Sequence, residues 1–143
     1  MAGSDLKIYL ENNVLLNYTQ KLYAPENPLL MTDYQGYLEL QQYLNFNLLL
    51  DVAHLKVSCN SLGLNFDEQL DKLLPLSNYV HLSDNDGKHD QNQGFTQDGE
   101  LLHKLKKYDF TGKTITLEIY HQVETIQEQY QLIKQELGLT HDS

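Results

Sequence analysis

The sequence is poor in cysteine, in basic residues and in long apolar runs, and each shortage excludes a class of protein. Cys59 is the single cysteine, so the chain has no disulfide framework and suits a reducing compartment. Ten Lys and Arg residues against twenty Asp and Glu residues give a net charge of -10, which disfavours nucleic-acid or anionic-membrane surfaces. No apolar run approaches the ~18 residues of a membrane span, and no signal-peptide core is present. We therefore expect a cytoplasmic protein with no nucleic-acid or membrane partner.

The sequence also lacks a glycine-rich phosphate loop, internal repeats and low-complexity segments. What remains is the composition of an ordinary globular domain, with 143 residues of which 41% are hydrophobic and 21% charged. This length allows one domain with a sizeable core. We assign residues 1–6 to a polar leader or cloning remnant and residues 7–143 to a single domain.

The run Asn47–Leu55, NLLLDVAHL, organises the rest of the chain. A short apolar run of this kind is typical of a strand that is buried on both faces of a parallel sheet, and we predict a strand over Asn47–His54. The strand runs into Asp51 and His54. Because a buried charge without a partner is costly, these residues indicate a metal site or the mouth of an active site.

The same pattern occurs three more times. Each of three further predicted strands carries a metal-competent side chain near its end: Lys7–Leu10 before Glu11, Tyr79–Ser83 with His81, and Thr114–Ile119 with Glu118. Four such coincidences in register predict that the side chains meet at one edge of a parallel sheet.

Helical spacing and capping residues predict the segments between these strands. We expect four helices: one from Thr32 or Asp33, one capped by Asn65 and ending before or at Pro75, one from near Asp98, and one from Val123 to Leu137 with Gly138 as its cap. We expect irregular chain through Pro25 and Pro28, around Asn60 and Gly63, and from Asp84 to Gly99. The alternation of strands and helices predicts an α/β fold with a parallel sheet and right-handed crossovers.

Two α/β architectures fit this length: a (βα)4 half of a TIM barrel, and a flavodoxin-like open sheet of four or five strands. A complete eightfold barrel needs about 250 residues. Polar side chains at the carboxyl ends of all four strands favour the half barrel, because an open doubly wound sheet binds its ligand mainly at one switch point.

The quoted residues also carry a resemblance to a known family. Glu11 in IYLEN, Asp51 and His54 in LLLDVAH, His81 in VHLSDNDG and Glu118 in TITLEIY resemble the second half of the xylose isomerase-like TIM barrel superfamily. That superfamily includes sugar phosphate isomerases and epimerases as well as apurinic endonucleases. The resemblance covers about residues 7–137 and implies strands 5–8 of the barrel.

The resemblance implies a ligand set and roles for individual residues. A divalent metal ion, Mn²⁺ or Mg²⁺ in preference to Zn²⁺ or Co²⁺, would be held by Glu11, Asp51, His81 and Glu118. Glu11 and Glu118 would also act as general base and acid, while His54, Asn13 and Asp84 would contact the substrate. For Asp84, Asp86 and Asp90 a simple role in forming turns is the alternative.

The expected function is therefore a metal-dependent sugar or sugar phosphate isomerase or epimerase that works through an enediolate. A non-catalytic truncated barrel fragment or binding module is the alternative. An apurinic endonuclease-like phosphodiesterase is disfavoured, because Asn92 replaces a histidine that the nuclease branch uses for further metal ions. A half barrel leaves two open strand edges and one bare hydrophobic face, which predicts a homodimer or pairing with a separate N-terminal half-barrel.

Overall fold

The computed structural model describes residues 5–139, so residues 1–4 of the predicted leader lie outside the described part. Four strands form one sheet: β1 (Tyr9–Glu11), β2 (Asn47–Asp51), β3 (Tyr79–Leu82) and β4 (Thr114–Leu117). Their order in the sheet is β1-β2-β3-β4, and every neighbouring pair is parallel. The predicted α/β class and parallel sheet are confirmed. An order without reversal is compatible with a sector of a barrel, whereas a doubly wound sheet reverses its strand order.

Six α-helices connect and follow the strands. They are α1 (Asn17–Tyr23), α2 (Tyr34–Gln41), α3 (Val52–Leu62), α4 (Phe66–Leu73), α5 (Glu100–Leu105) and α6 (Val123–Glu136). Two predicted N-terminal caps are confirmed: Asp33, one of the two candidates for its helix, accepts a hydrogen bond from the Gly36 amide, and Asn65 accepts one from the Glu68 amide. Within residues 5–139, no helix combines the length and the apolar character needed to cross a membrane.

Two helices were not predicted. Helix α1 lies in the segment expected to be irregular, buries none of its residues and has no side-chain cap. Helix α3 begins directly after Asp51, so the strand predicted to reach His54 ends three residues early, and the expected loop around Asn60 is helical. The physical reason is that the Asp51 carboxylate caps α3 by accepting a hydrogen bond from the His54 amide at 2.8 Å.

The two faces of the sheet differ in character. Alternate strand residues, among them Leu50, Val80 and Leu82, are fully buried in a core shared with the helices. The opposite face, which we call the inner face, carries Tyr9, Asn47, Leu49, Tyr79, Thr114 and Thr116 below the strand ends. Leu49 is the one aliphatic residue among these. The inner face is therefore polar and aromatic, whereas the sequence predicted a hydrophobic one.

The inner face is internally bonded. The Tyr9 and Tyr79 rings lie 5.6 Å apart, the Tyr9 hydroxyl donates to Asn78 Oδ1 at 2.8 Å, and the Tyr79 hydroxyl lies 3.2 Å from Thr116 Oγ1. Both hydroxyls therefore have partners within the chain.

Candidate metal centre

Four side chains converge at the carboxyl ends of the four strands. Glu11 and Asp51 are the last residues of β1 and β2, His81 is the third residue of β3, and Glu118 directly follows β4. One ligand atom from each of the four lies within 4.8 Å of the others. The backbone amide of Glu118 donates to the Leu82 carbonyl at 3.0 Å, which extends the parallel ladder to the site. The structure therefore brings the four predicted metal ligands into one cluster, which we call the quartet.

His81 lies at the centre of the quartet. Its Nδ1 atom is 3.4 Å from Glu11 Oε1 and 3.3 Å from Glu118 Oε1. That nitrogen is buried and makes no hydrogen bond with any residue of the described chain. A buried polar atom without a partner is costly, and a cation between the imidazole and the carboxylates would supply one. Three carboxylates and one imidazole are a donor set that fits a divalent ion such as Mn²⁺ or Mg²⁺.

The four side chains of the quartet differ in their exposure to solvent. The side chains of Asp51 and His81 are 1% and 12% exposed, whereas those of Glu118 and Glu11 are 30% and 36% exposed. Burial raises the pKa of Asp51 to about 6; His54 opposes this shift, and the charges of Glu11 and Glu118 add to it. A bound cation would remove this cost of burying the carboxylate.

Asn12 fixes the position of Asp51. Its side chain is buried, accepts a hydrogen bond from the Asp51 amide at 2.7 Å and donates to the Asp51 carbonyl at 3.0 Å. The Asn12 side chain thus makes the two hydrogen bonds to Asp51 that a backbone peptide group would make if β1 continued past Glu11. Sequence reasoning missed this residue, because its only sequence signal is a polar side chain directly after Glu11.

His54 lies beside the quartet and is oriented by the backbone. Its Nδ1 atom is 2.9 Å from the Asn12 carbonyl, so Nδ1 carries the proton and Nε2 faces Asp90 Oδ2 at 3.4 Å and Asp51 Oδ2 at 3.7 Å. Burial disfavours the charged imidazole, but the Asp51 charge, the Asn12 carbonyl and the charges of Asp90 and Glu11 outweigh it and raise the pKa of His54. Asp90, for which we had considered a turn-forming role, is therefore an electrostatic partner of His54.

The other two predicted substrate contacts lie in loop-stabilising bonds. Asn13 Nδ2 donates to the Leu30 carbonyl at 2.6 Å, while the Asp84 carboxylate accepts from Lys56 Nζ and from the Asn85 amide, both at 2.7 Å. Neither joins the quartet. Their contact with substrate stays a prediction.

The loop that carries Asp90 is held at both ends. The backbone of Asp84 pairs with that of Gln93 through hydrogen bonds of 2.8 and 2.9 Å. After the loop, the Gln129 side chain of α6 accepts from the Phe95 amide at 2.7 Å and donates to its carbonyl at 2.9 Å. The loop is thereby anchored to both β3 and α6, with Asp90 facing His54.

Comparison with known proteins identifies no relative from which a function could be inferred. None of the protein-family models, curated proteins or solved structures compared with this chain matches it. Function therefore has to be argued from the geometry of the quartet and its neighbours.

Proposed function

We propose that this chain is a divalent-metal-dependent isomerase or epimerase of a sugar or sugar phosphate, or the C-terminal half of one. The observation that carries the proposal is the convergence of Glu11, Asp51, His81 and Glu118 around an unbonded imidazole nitrogen at the carboxyl ends of parallel strands. That end of the sheet is where barrel enzymes place their chemistry.

The reaction needs a proton removed from a carbon beside a carbonyl. The proton returns to the neighbouring carbon in an isomerase, and to the opposite side of the same carbon in an epimerase. A bound divalent ion would polarise two adjacent sugar oxygens and so stabilise the enediolate. The chain's own residues must then take up and deliver the proton.

Glu11 and Glu118 are suited to that exchange. They come from β1 and from the end of β4, the two edge strands of the described sheet, and they are the more exposed members of the quartet. A sugar bound over the quartet would have one carboxylate on each side, one as general base and the other as general acid. A positioned acid or base contributes roughly 10²–10⁴-fold to the rate.

His54 is proposed to orient the substrate. Because its Nδ1 proton is held by the Asn12 carbonyl, only Nε2 remains for a sugar oxygen. Charges from Asp51 and Asp90 favour the protonated ring, in which Nε2 donates a hydrogen bond.

Hydrogen–deuterium exchange tests the proposal directly. The full chain with Mn²⁺ is incubated in deuterated water with a panel of ketoses and ketose phosphates, and loss of carbon-bound hydrogen is followed by NMR. We expect exchange in at least one sugar, and a loss of about 10²-fold or more in Glu11→Gln and Glu118→Gln. Glu26→Gln, an exposed loop variant, is the matched control and should exchange like the original chain. Metal binding without exchange in any sugar would refute the enzyme and leave a metal-binding module.

A further inference from the structure

The two edges of the sheet are incomplete in the same way. Within residues 5–139, no strand pairs with the outer edge of β1 or of β4. Leu6 and Ile8, which lead into β1, are 77% and 56% exposed. By strand alternation they share the helix-facing side with Leu10. The first edge therefore exposes apolar side chains that would ordinarily be covered.

The second edge has a groove on the same side of the sheet. It has a volume of about 250 Å³ and is lined by Lys113, Ile115, Leu117, Tyr130, Ile133, Lys134 and Leu139. Ile115 and Leu117 belong to β4 and point to the side that the helices cover. One edge thus presents apolar side chains, and the other an apolar groove able to receive them.

The strand register defines how the edges would meet. Glu11 is level with Leu49, Asp51 with His81, and His81 with Thr116. The quartet therefore climbs two residues from β1 to β2 (49 to 51), none from β2 to β3, and two from β3 to β4 (116 to 118). The three pairings within one sheet thus add four residues of stagger, and two identical sheets add eight if β4 of each copy pairs with β1 of the other without further stagger. Eight is the shear of an eight-stranded (βα)8 barrel.

We propose that two copies of this chain associate around a twofold axis, β1 of each pairing in parallel with β4 of the other, to form one eight-stranded barrel. With a shear of eight, Ile8 of one copy lies beside Ile115 of the other, and Leu10 lies beside Leu117. The exposed residues of the first edge thereby fill the groove of the second. One rotation closes both edges of both copies.

The inner face supports this occupant. In the closed barrel, Tyr9 and Tyr79 of both copies would lie in the interior, and their hydroxyls already bond to Asn78 and Thr116. The two tyrosines can therefore be buried without leaving a hydroxyl group that lacks a hydrogen-bond partner. Two large rings from each copy also supply volume that branched aliphatic residues supply in other barrels.

The negative charge of the two copies opposes their association, and bound metal ions would reduce that charge. Each copy carries a net charge of -10, and the quartets of the two copies would share one barrel mouth, with Glu118 of one level with Glu11 of the other. A divalent ion in each quartet would reduce this repulsion, so the dimer should tighten when Mn²⁺ is bound. The pairing of the edges itself requires neither the metal nor the catalytic proposal.

Mass in solution tests the association. Sedimentation of the full chain with Mn²⁺ should give twice the chain mass of 16.6 kDa. Ile8→Asp places a carboxylate in the apolar seam and should weaken the dimer by about ten-fold or more. Leu22→Asp is the matched control: Leu22 is 64% exposed on α1, which packs on α3, and α3 in turn packs on the central strand β3, so the variant should remain dimeric. Circular dichroism checks that both variants fold.

Cross-linking tests the register. Adjacent strands lie about 4.8 Å apart, so Ile8→Cys combined with Ile115→Cys should oxidise to a covalent dimer. Ile8→Cys with Leu117→Cys is offset by two residues, or about 8 Å, and should not.

A monomer at every concentration, or equal behaviour of Ile8→Asp and Leu22→Asp, would overturn the proposal. A monomer that still exchanges sugar hydrogen would refute the dimer and leave the enzyme proposal standing.

Discussion

Replacing Asn12 tests how the fold positions its most buried carboxylate. In Asn12→Ala the amide and carbonyl of Asp51 lose their hydrogen-bond partners at 2.7 and 3.0 Å. Both groups lie at a residue whose side chain is 1% exposed, so water cannot simply replace the lost amide.

The expected cost follows from these two bonds. A buried donor or acceptor without a partner costs about 1–3 kcal/mol, so the two together should lower the free energy of unfolding by about 2–4 kcal/mol after partial relaxation. That is a large share of the about 5–15 kcal/mol that stabilises a typical domain. With a urea slope of about 1–3 kcal/mol/M, the unfolding midpoint should fall by about 1–2 M. Looser placement of Asp51 should weaken Mn²⁺ binding by about 10–100-fold.

The neighbouring residue provides the control. Asn13 donates one exposed hydrogen bond to the Leu30 carbonyl, so Asn13→Ala should change the stability by less than about 1 kcal/mol. Urea unfolding followed by circular dichroism gives the stability, and calorimetric titration gives the Mn²⁺ affinity. If the two variants lose the same stability, or if Asn12→Ala binds Mn²⁺ as tightly as the original chain, the assigned role of Asn12 is wrong.

Two further predictions concern protons. Burial raises the pKa of Asp51 to about 6, above its value in the unfolded chain. In the metal-free chain, the contribution of Asp51 to the free energy of unfolding is therefore most favourable below about pH 4 and is lost as the pH rises through 6. Metal needs the carboxylate, so the rise in melting temperature with Mn²⁺ should be full at pH 8 and much smaller at pH 5; equal rises would contradict the site. Burial also raises the pKa of the Cys59 thiol to about 12, with the Asp33 charge adding, so a thiol reagent at pH 8 should label Cys59 at the rate of unfolding. Labelling as fast as a free thiol would contradict its burial.

The sequence predicted the elements whose signals are local. Asp33 and Asn65 cap α2 and α4 as expected, because the cap, the apolar spacing and the helix end all lie within one short segment. The four strands were predictable for a related reason, because apolar runs and helix signals alternate along the chain. The choice of Glu11, Asp51, His81 and Glu118 as one ligand set was implied by the family resemblance, and the structure brings the four side chains together.

What could not be predicted depends on contacts across the chain. The Asp51 carboxylate marks a strand end in the sequence, but its second role as the cap of α3 appears only once the backbone turns there. The bonds from Asn12 to Asp51 join residues that are 39 positions apart, and no spacing rule selects one asparagine over its neighbour Asn13. The same holds for Asp90, which faces His54 from an anchored loop.

The most direct test of the account is the position of Mn²⁺ in crystals grown with that ion, read from its anomalous scattering. We predict one peak per chain, in contact with His81 Nδ1 and with carboxylate oxygens of Glu11, Asp51 and Glu118. Crystals that diffract well, contain Mn²⁺ in the mother liquor and show no peak at the quartet, or show His81 Nδ1 bonded to something else, would contradict the metal centre on which the proposed function depends.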